Sequence, residues 1–389
     1  MKKKLVAVAV AGVLGAPLAA HAQTANVTLY GRLNLDLEFV NGRQADGSNP
    51  TVGRLSANSS RFGVRGSESL GGGLNAIFQI ESDVRGDTNN PNGWSSRETF
   101  VGLQGNWGTF KMGKFLMPTD DMHPIFGNVP TYTTSILSTA SLWAQGFASK
   151  DGGGFDARLG NSLRYDSPSF SGLTFSGQVA LRDSSGANAV LPQGDGDHTQ
   201  ELRHAFVFGG NAIYNNGPIQ AGAAFESNQK VRGADLNDTE MTLTGGYNFG
   251  VVRVALLYEY LKYDTPTGDL KRNMWGISGT MPMGPGTWYA FYGRAGDGRG
   301  SAADGTRVAG LTRGSDTGAN QWELSYTYPL SKRTQVYAGY VKIDNDSRAA
   351  YTFNINSYTA NTSCVSDASC SSGANAKPGG LVLGMIHLF

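Results

Sequence analysis

The chain lacks the features that mark several common protein classes. Beyond residue 22, no uninterrupted apolar run approaches the roughly 20 residues of a membrane-spanning helix, which excludes a helical membrane protein. The charge is nearly balanced, with 32 Lys and Arg against 31 Asp and Glu, so no nucleic-acid-binding surface is indicated. No charge block, composition break or proline-rich linker divides the chain, and we therefore expect one large unit.

Residue patterns for catalysis and metal binding are also missing. Histidines without metal-ligand spacing occur at His123, His198, His204 and His387. There is no G-x-S-x-G motif, and the run Gly71-Gly72-Gly73 lacks the lysine of a phosphate-binding loop. Paired carboxylates such as Asp120-Asp121 are more often solvated loop charges than an acid–base couple. We therefore expect no enzyme activity, no cofactor and no metal site.

The first 22 residues have the pattern of a secretory signal peptide. Three lysines follow Met1, an apolar stretch runs from Leu5 to about Ala20, and the small-x-small sequence Ala20-His21-Ala22 ends it. A membrane anchor is the alternative, but Pro17 interrupts a stretch that is already short. We predict a signal peptide over residues 1–22 and one mature domain over residues 23–389.

Cysteine is rare, with only Cys364 and Cys370 in the whole chain. Both lie in a stretch rich in Ser, Asn, Ala and Gly, and the signal peptide directs the chain to an oxidising compartment. A local disulfide is expected there, with two free thiols as the alternative. No histidine lies close to the pair in sequence, which disfavours metal binding by these thiols.

Alternation of apolar and polar residues is the main structural signal. From Val27 to Val40, one parity carries Leu29, Leu33, Leu35, Leu37 and Phe39. The other parity carries Thr28, Arg32, Asn34, Asp36 and Glu38. A helix would scatter the leucines around its axis, so this is a strand with one apolar and one polar face. The same period recurs within residues 74–81, 173–182, 219–226, 241–248 and 322–328.

Short turns alternate with long polar loops along the chain. Turn residues cluster near 71–73, 105–108, 171–172, 215–217, 248–250, 282–286 and 329–331. Long loops are expected at 41–51, 85–94, 118–160, 184–200, 229–237, 264–270, 297–319 and 346–379. Seven turns and eight loops join sixteen strands, an even number typical of bacterial membrane barrels. The predicted fold is all-β: a transmembrane antiparallel up-and-down β-barrel of sixteen strands.

Several blocks resemble one protein family. They are VTLYGRL at 27–33, SRFGVRGSESLGGGLNAIFQIE at 60–81, RETFVGLQGNWGTFKMGK at 97–114 and NSLRYDSPSFSGL at 161–173. They resemble the general porin family of Gram-negative bacteria, in the branch typical of β-proteobacteria, and the resemblance spans the mature chain. It implies a homotrimer of barrels in the outer membrane, in contact with its lipid, that pass inorganic ions and small hydrophilic solutes. The terminal Phe389 resembles the family's signal to the outer-membrane assembly machinery.

The resemblance also implies the residues of a pore constriction. The third loop, residues 118–160, would fold into the lumen opposite a basic cluster on the barrel wall. By motif position, or as further candidates, the basic residues would be Arg61, Arg97, Arg164, Lys114 and Arg32. The opposing acids would be Asp120 and Asp121, with Asp151 and Asp156 as weaker candidates. Strand parity supports Arg61 and leaves Arg97 ambiguous.

The expected selectivity follows from one departure from the family. Enteric relatives carry Pro-Glu-Phe-Gly in this loop, whereas the matching residues here are Pro124-Ile125-Phe126-Gly127 without the acid. Because fixed charge in a narrow pore attracts counter-ions, we expect mild anion selectivity. A substrate-specific channel is one alternative, although most aromatic residues have the outward parity. An exported binding or adhesion module is another.

Overall fold

The structure is a computed structural model that describes residues 26–42, 49, 51–87, 94–127, 135–143, 154–181, 206–232, 235–353 and 374–389. Among these residues, no helix has the length and apolar character needed to cross a membrane. The predicted signal peptide and both cysteines, Cys364 and Cys370, lie outside the described residues, so those two expectations stay predictions.

The described residues are organised almost entirely as strands. These are β1 (Asn26–Asn41), β2 (Thr51–Ala57), β3 (Arg61–Gly71), β4 (Leu74–Asp83), β5 (Thr99–Gly105), β6 (Gly108–Leu116), β7 (Arg158–Asp166), β8 (Leu173–Leu181), β9 (Phe206–Asn216), β10 (Ile219–Gln229), β11 (Asn237–Asn248), β12 (Arg253–Thr265), β13 (Gly268–Met283), β14 (Gly286–Ala295), β15 (Arg307–Val308), β16 (Leu311–Thr312), β17 (Ala319–Pro329), β18 (Thr334–Asn345) and β19 (Gly379–Leu388). Strands β15 and β16 form a small separate hairpin.

The other strands form one closed sheet. Apart from β2 and β3, strands that follow one another in this sheet pair antiparallel, and β1 pairs with β19 to close the barrel. Strand β2 pairs with the second half of β1 and β3 with the first half, so β2 and β3 are two parts of one strand. The sheet is therefore a sixteen-stranded antiparallel barrel, which confirms the predicted fold class.

Side-chain burial shows which face of the sheet is which. In β1, Leu37 is 50% exposed while the neighbouring Asp36 is only 2% exposed. Strand β17 repeats this reversal, with an exposed Leu324 beside a buried Glu323. A soluble domain buries its apolar rows, whereas a membrane barrel turns them outward to lipid and its polar rows inward. The alternation predicted from the sequence is confirmed.

The seven predicted tight turns are present, one predicted long loop is not, and the loop expected at 184–200 lies outside the described residues and stays a prediction. All seven tight turns join consecutive strands where the turn residues cluster. The loop expected at 264–270 is instead a two-residue turn, because β12 continues to Thr265 and β13 begins at Gly268. Gly268 has φ +133°, and a Cβ atom there would lie 2.5 Å from Ser301 Oγ. Glycine thus allows a tight chain reversal here, where the polar composition of the stretch predicts a longer loop.

Candidate pore constriction

Two described parts of the long connection between β6 and β7 form the first component of the site. Residues 117–127 contain a 3₁₀ turn at Asp120–Met122 and a helical turn at His123–Phe126, with Pro124 at its start. Residues 135–143 contain a second 3₁₀ turn, capped by Ser138 Oγ, which accepts a hydrogen bond from the Ala140 amide at 3.1 Å. Below, "the L3 segments" means residues 117–127 and 135–143.

The L3 segments bind the barrel through main-chain oxygen atoms. The Phe126 carbonyl oxygen accepts hydrogen bonds from Ser278 Oγ at 2.7 Å and from the Tyr289 hydroxyl at 3.1 Å. The Ser138 carbonyl oxygen accepts one from Gln321 Nε2 at 2.8 Å. All three donors lie on the buried, inward rows of β13, β14 and β17. No pattern in the sequence identifies these partners, because more than 150 residues separate each donor from its acceptor.

Apolar packing adds to these hydrogen bonds. The Phe126 ring meets Phe291 and Trp143 edge-on, with centroids 5.5 and 6.1 Å apart. Two glycines on the barrel make room for this contact. A Cβ atom at Gly222 would lie 2.7 Å from Met122 Sδ, and one at Gly276 would lie 2.8 Å from the Phe126 ring. Strands β10 and β13 thus leave space at these glycines for bulky side chains from the L3 segments.

Arg61 and Arg97 are brought together by one carboxylate. Arg97 Nε donates to Glu81 Oε1 at 2.6 Å, and Arg61 Nε lies 3.6 Å from Glu81 Oε2. Arg97 also reaches Asp83 Oδ1 with Nη1, at 3.1 Å. Arg32 is directly opposite Arg61 in the register of β1 and β3 and is 9% exposed. Three of the five predicted basic residues therefore share one region of the wall.

Arg164 contacts one of the two predicted acids. Its Nη2 atom lies 2.5 Å from Asp121 Oδ2, and its Nε atom donates to Asp166 Oδ1 at 2.8 Å. Asn211 Nδ2 donates to the same Asp121 oxygen at 2.8 Å. Asp121 therefore joins the L3 segments to the inward rows of β7 and β9. Lys111, which the sequence prediction missed, pairs with Asp166 at 2.8 Å.

Lys114 and Arg158 complete the basic side. Lys114 Nζ donates to the Ser96 carbonyl oxygen at 3.1 Å. Arg158 interacts electrostatically with Lys114, Arg97 and Asp120, although sequence reasoning did not select it. The register of β7 shifts by one residue between Ser162 and Leu159, so strand parity relative to Arg164 could not have identified Arg158.

Asp120 has a different environment from Asp121. It lies in a group with His123 and Asp156, and one ligand-type atom from each is within 4.8 Å of the others. Burial and the neighbouring Asp156 carboxyl raise the pKa of Asp120 to about 8. Burial also raises the pKa of Asp156 and lowers that of His123. The two consecutive acids therefore have different partners.

Phe389 follows the closing strand β19 and packs against β1. Its amide donates to the Gly31 carbonyl oxygen at 3.1 Å, and the Gly31 amide donates back to the Phe389 oxygen at 3.0 Å. A Cβ atom at Gly31 would lie 2.2 Å from the Phe389 ring, so the ring covers that glycine. The last side chain is thus fixed against the first strand.

A family model described as Gram-negative porin matches residues 6–348. The chain belongs to the Gram-negative porin family. Outer membrane porin protein 32 of Delftia acidovorans is 29% identical to this porin over 352 residues, which cover 89% of this chain and 90% of that one.

Solved structures agree with the barrel fold. The anion-selective porin from Comamonas acidovorans has a TM-score of 0.70 and 25% identity, and the match covers 94% of this porin and all of that chain. The trimer form of OmpT, an outer membrane protein of Vibrio cholerae, has a TM-score of 0.62 and 16% identity, covering 94% of this chain and 99% of that one. The family comprises channels, and this porin is an outer-membrane barrel whose apolar rows face outward.

Proposed function

We propose that this porin is a general diffusion channel through which inorganic ions and small hydrophilic solutes pass down their gradients. The observation that carries this proposal is the closed barrel of sixteen strands with an inward polar face. A barrel of about sixteen strands is too wide for its own side chains to fill, so water occupies the remaining lumen. Passage of this kind uses no cofactor.

The L3 segments would lie inside the lumen and narrow it. The support is their partners: Ser278, Tyr289 and Gln321 are all inward residues that donate hydrogen bonds to L3 carbonyl oxygens. Ile125 stands where the enteric relatives have an acid, and it is 1% exposed within the apolar contact. An isoleucine there adds packing to the loop and removes one negative charge from the channel.

The remaining channel would lie along the basic wall and prefer anions. Arg32, Arg61, Arg97, Lys114 and Arg164 would provide positive charge on that wall, and Asp121 would oppose them. Asp120 would contribute less negative charge at neutral pH, because its pKa is about 8. The relative from Comamonas acidovorans is an anion-selective porin by its title, which agrees with this sign.

Reversal potentials across a salt gradient in planar bilayers test this proposal. The wild-type protein should show conductance with a potential that favours chloride. Arg164→Gln should lower the chloride-to-potassium permeability ratio about twofold, and Asp121→Asn should raise it, because each removes one fixed charge. Cation preference in the wild type would contradict the selectivity, and absence of conductance from folded protein would contradict the channel.

We further propose a homotrimer in which Phe389 serves the assembly machinery. Family resemblance supports the trimer, and the exposed Phe389 ring at the edge of the outward face supports recognition. Phe389→Ala should reduce the amount of folded trimer in the outer membrane, measured by unheated gel migration. His387→Gln, two residues earlier on the same face, is the control and should leave that amount unchanged.

A further inference from the structure

We propose that Asp120, His123 and Asp156 form a binding site for one divalent transition-metal ion of the Zn²⁺ type. The site lies where the beginning of the connection between β6 and β7 meets its end. Ligand-type atoms of the three residues lie within 4.8 Å of one another. No short motif in the sequence identifies this group, because 33 residues separate His123 from Asp156.

The geometry provides ligands of the right kind. His123 Nε2 lies 2.7 Å from Asp156 Oδ2, and the two side chains are 1% and 8% exposed. The His123 ring also packs against Trp143, with centroids 4.0 Å apart and the ring planes tilted by 40°, so its orientation is fixed by packing. One imidazole and two carboxylates combine the nitrogen ligand that suits Zn²⁺ and its neighbours with oxygen ligands that they accept.

A second observation points to a missing cation. Asp156 Oδ1 is fully buried and has no hydrogen-bond partner among the residues that the structure describes. A buried carboxylate oxygen without a donor is costly, whereas one that binds a metal ion is satisfied.

The surrounding charges have the sign that a cation needs. Glu226 Oε2 accepts hydrogen bonds from the Asp156 amide at 3.0 Å and from Thr119 Oγ1 at 2.9 Å, and the side chain is 1% exposed. When ionised, three carboxylates and the nearby Arg158 guanidinium leave an excess of two negative charges, which one divalent ion would neutralise. Glu226 also positions both ends of the connection, because Thr119 and Asp156 belong to different ends.

Metal binding would change the channel in two ways. It would join residues 119–123 to residue 156 by coordination, which restrains the base of the L3 segments. It would also displace the protons that these carboxyls hold at neutral pH, because metal ligands must be deprotonated, so the net charge added beside the basic wall is smaller than that of the ion. The site itself does not depend on the proposed selectivity, and binding can be measured without any transport.

The test is titration of the purified, chelator-treated mature protein in detergent with Co²⁺ and Zn²⁺ at pH 8. Visible absorption should report Co²⁺ in a nitrogen-and-oxygen site, and calorimetry should give one Zn²⁺ per chain. His123→Gln and Asp156→Asn should each weaken binding at least about tenfold. The matched control is His387→Gln, an exposed histidine on β19, and it should bind like the wild type.

Each result has a defined meaning. Absence of saturable Co²⁺ and Zn²⁺ binding by the folded wild type would overturn the proposal, as would binding that only His387→Gln removes. If the two site variants fail to fold, anomalous diffraction from Co²⁺-soaked wild-type crystals locates the ion without them. A peak beside His123 and Asp156 would support the site, and a peak elsewhere would refute it.

Discussion

The inner wall of the barrel has two unlike sides. On β3–β7, Glu81, Arg97, Arg164 and their partners form ion pairs, and Asp121 keeps 34% of its side chain exposed. On β10–β14, the inward row instead contacts Phe126 and Trp143, which are almost completely buried. Both sides obey the same alternation of strand residues. The comparison shows that alternation determines on which face of the sheet a residue lies. Contacts with a segment that is distant in sequence determine whether that face contacts water or protein.

The largest expected effect comes from breaking the apolar side. Phe126→Ala removes a side chain that is 0% exposed and packs against Phe291 and Trp143. Such a truncation costs about 3–5 kcal/mol, enough to free the L3 segments from the wall. Single-channel recording should show larger and noisier conductance steps.

The matched control for that change is Phe175→Ala, on the exposed outward row of β8. It removes the same atoms from a lipid-facing position and should leave the conductance unchanged. Equal conductance in Phe126→Ala and the wild type would contradict the role given to the apolar side.

A smaller effect should come from changing the charged side. Glu81→Gln removes the carboxylate that Arg61 and Arg97 share, so two guanidinium groups lose part of their neutralisation. The chloride-to-potassium permeability ratio should rise about twofold, because one fixed negative charge leaves the wall. Reversal potentials measure this ratio. Glu68→Gln, exposed near the end of β3, is the control; an equal shift in both variants would show that the effect is not local.

The smallest effect concerns an ion pair that belongs to neither side. Arg348 Nη2 donates to Asp304 Oδ2 at 2.9 Å and joins two loops at one end of the barrel. This hydrogen bond lowers the pKa of Asp304, so its stabilisation is present above about pH 4 and is lost as the pH falls through the lowered pKa. Arg348→Gln should therefore have its full effect at pH 4.5 and a smaller effect as the pH falls through the lowered pKa of Asp304.

Limited pepsin digestion can measure this, with wild type and variant compared at the same pH. We expect faster cleavage in residues 298–318 of the variant at pH 4.5, by less than about fivefold, because exposed pairs contribute little. A difference in cleavage rate that does not shrink as the pH is lowered below 4.5 would show that Arg348 acts through something other than this pair. The effect of removing this exposed ion pair can then be compared with the effects of changing the wall residues.

The sequence predicted much of the barrel because its signals are local. Leu37 beside Asp36 is enough to orient β1, and glycine clusters such as 71–73 place turns. The turn at Gly268 was missed because a polar stretch looks the same whether it continues two strands or forms a loop. Its register depends on how Tyr263 and Leu270 pair across the strands.

The candidate site was only partly predictable for a related reason. Motif position selected Arg164, and the structure brings it to Asp121. Asp120, the residue before it, contacts a different group because the 3₁₀ turn points consecutive side chains in different directions. Asp120 meets Asp156 and Asp121 meets Arg164, each more than 30 residues away, and no spacing rule in the sequence carries that information.

The pairing of β1 with β19 has a consequence for biogenesis. Ten register pairs, from Arg32–Leu388 to Asn41–Gly379, close the sheet. Until they form, both edges present unpaired amides and carbonyls that a hydrocarbon environment does not tolerate. Strand β1 cannot complete its pairing until β19 has been synthesised. A polypeptide truncated before β19 therefore lacks the strand that closes the barrel, and barrel closure selects for full-length chains.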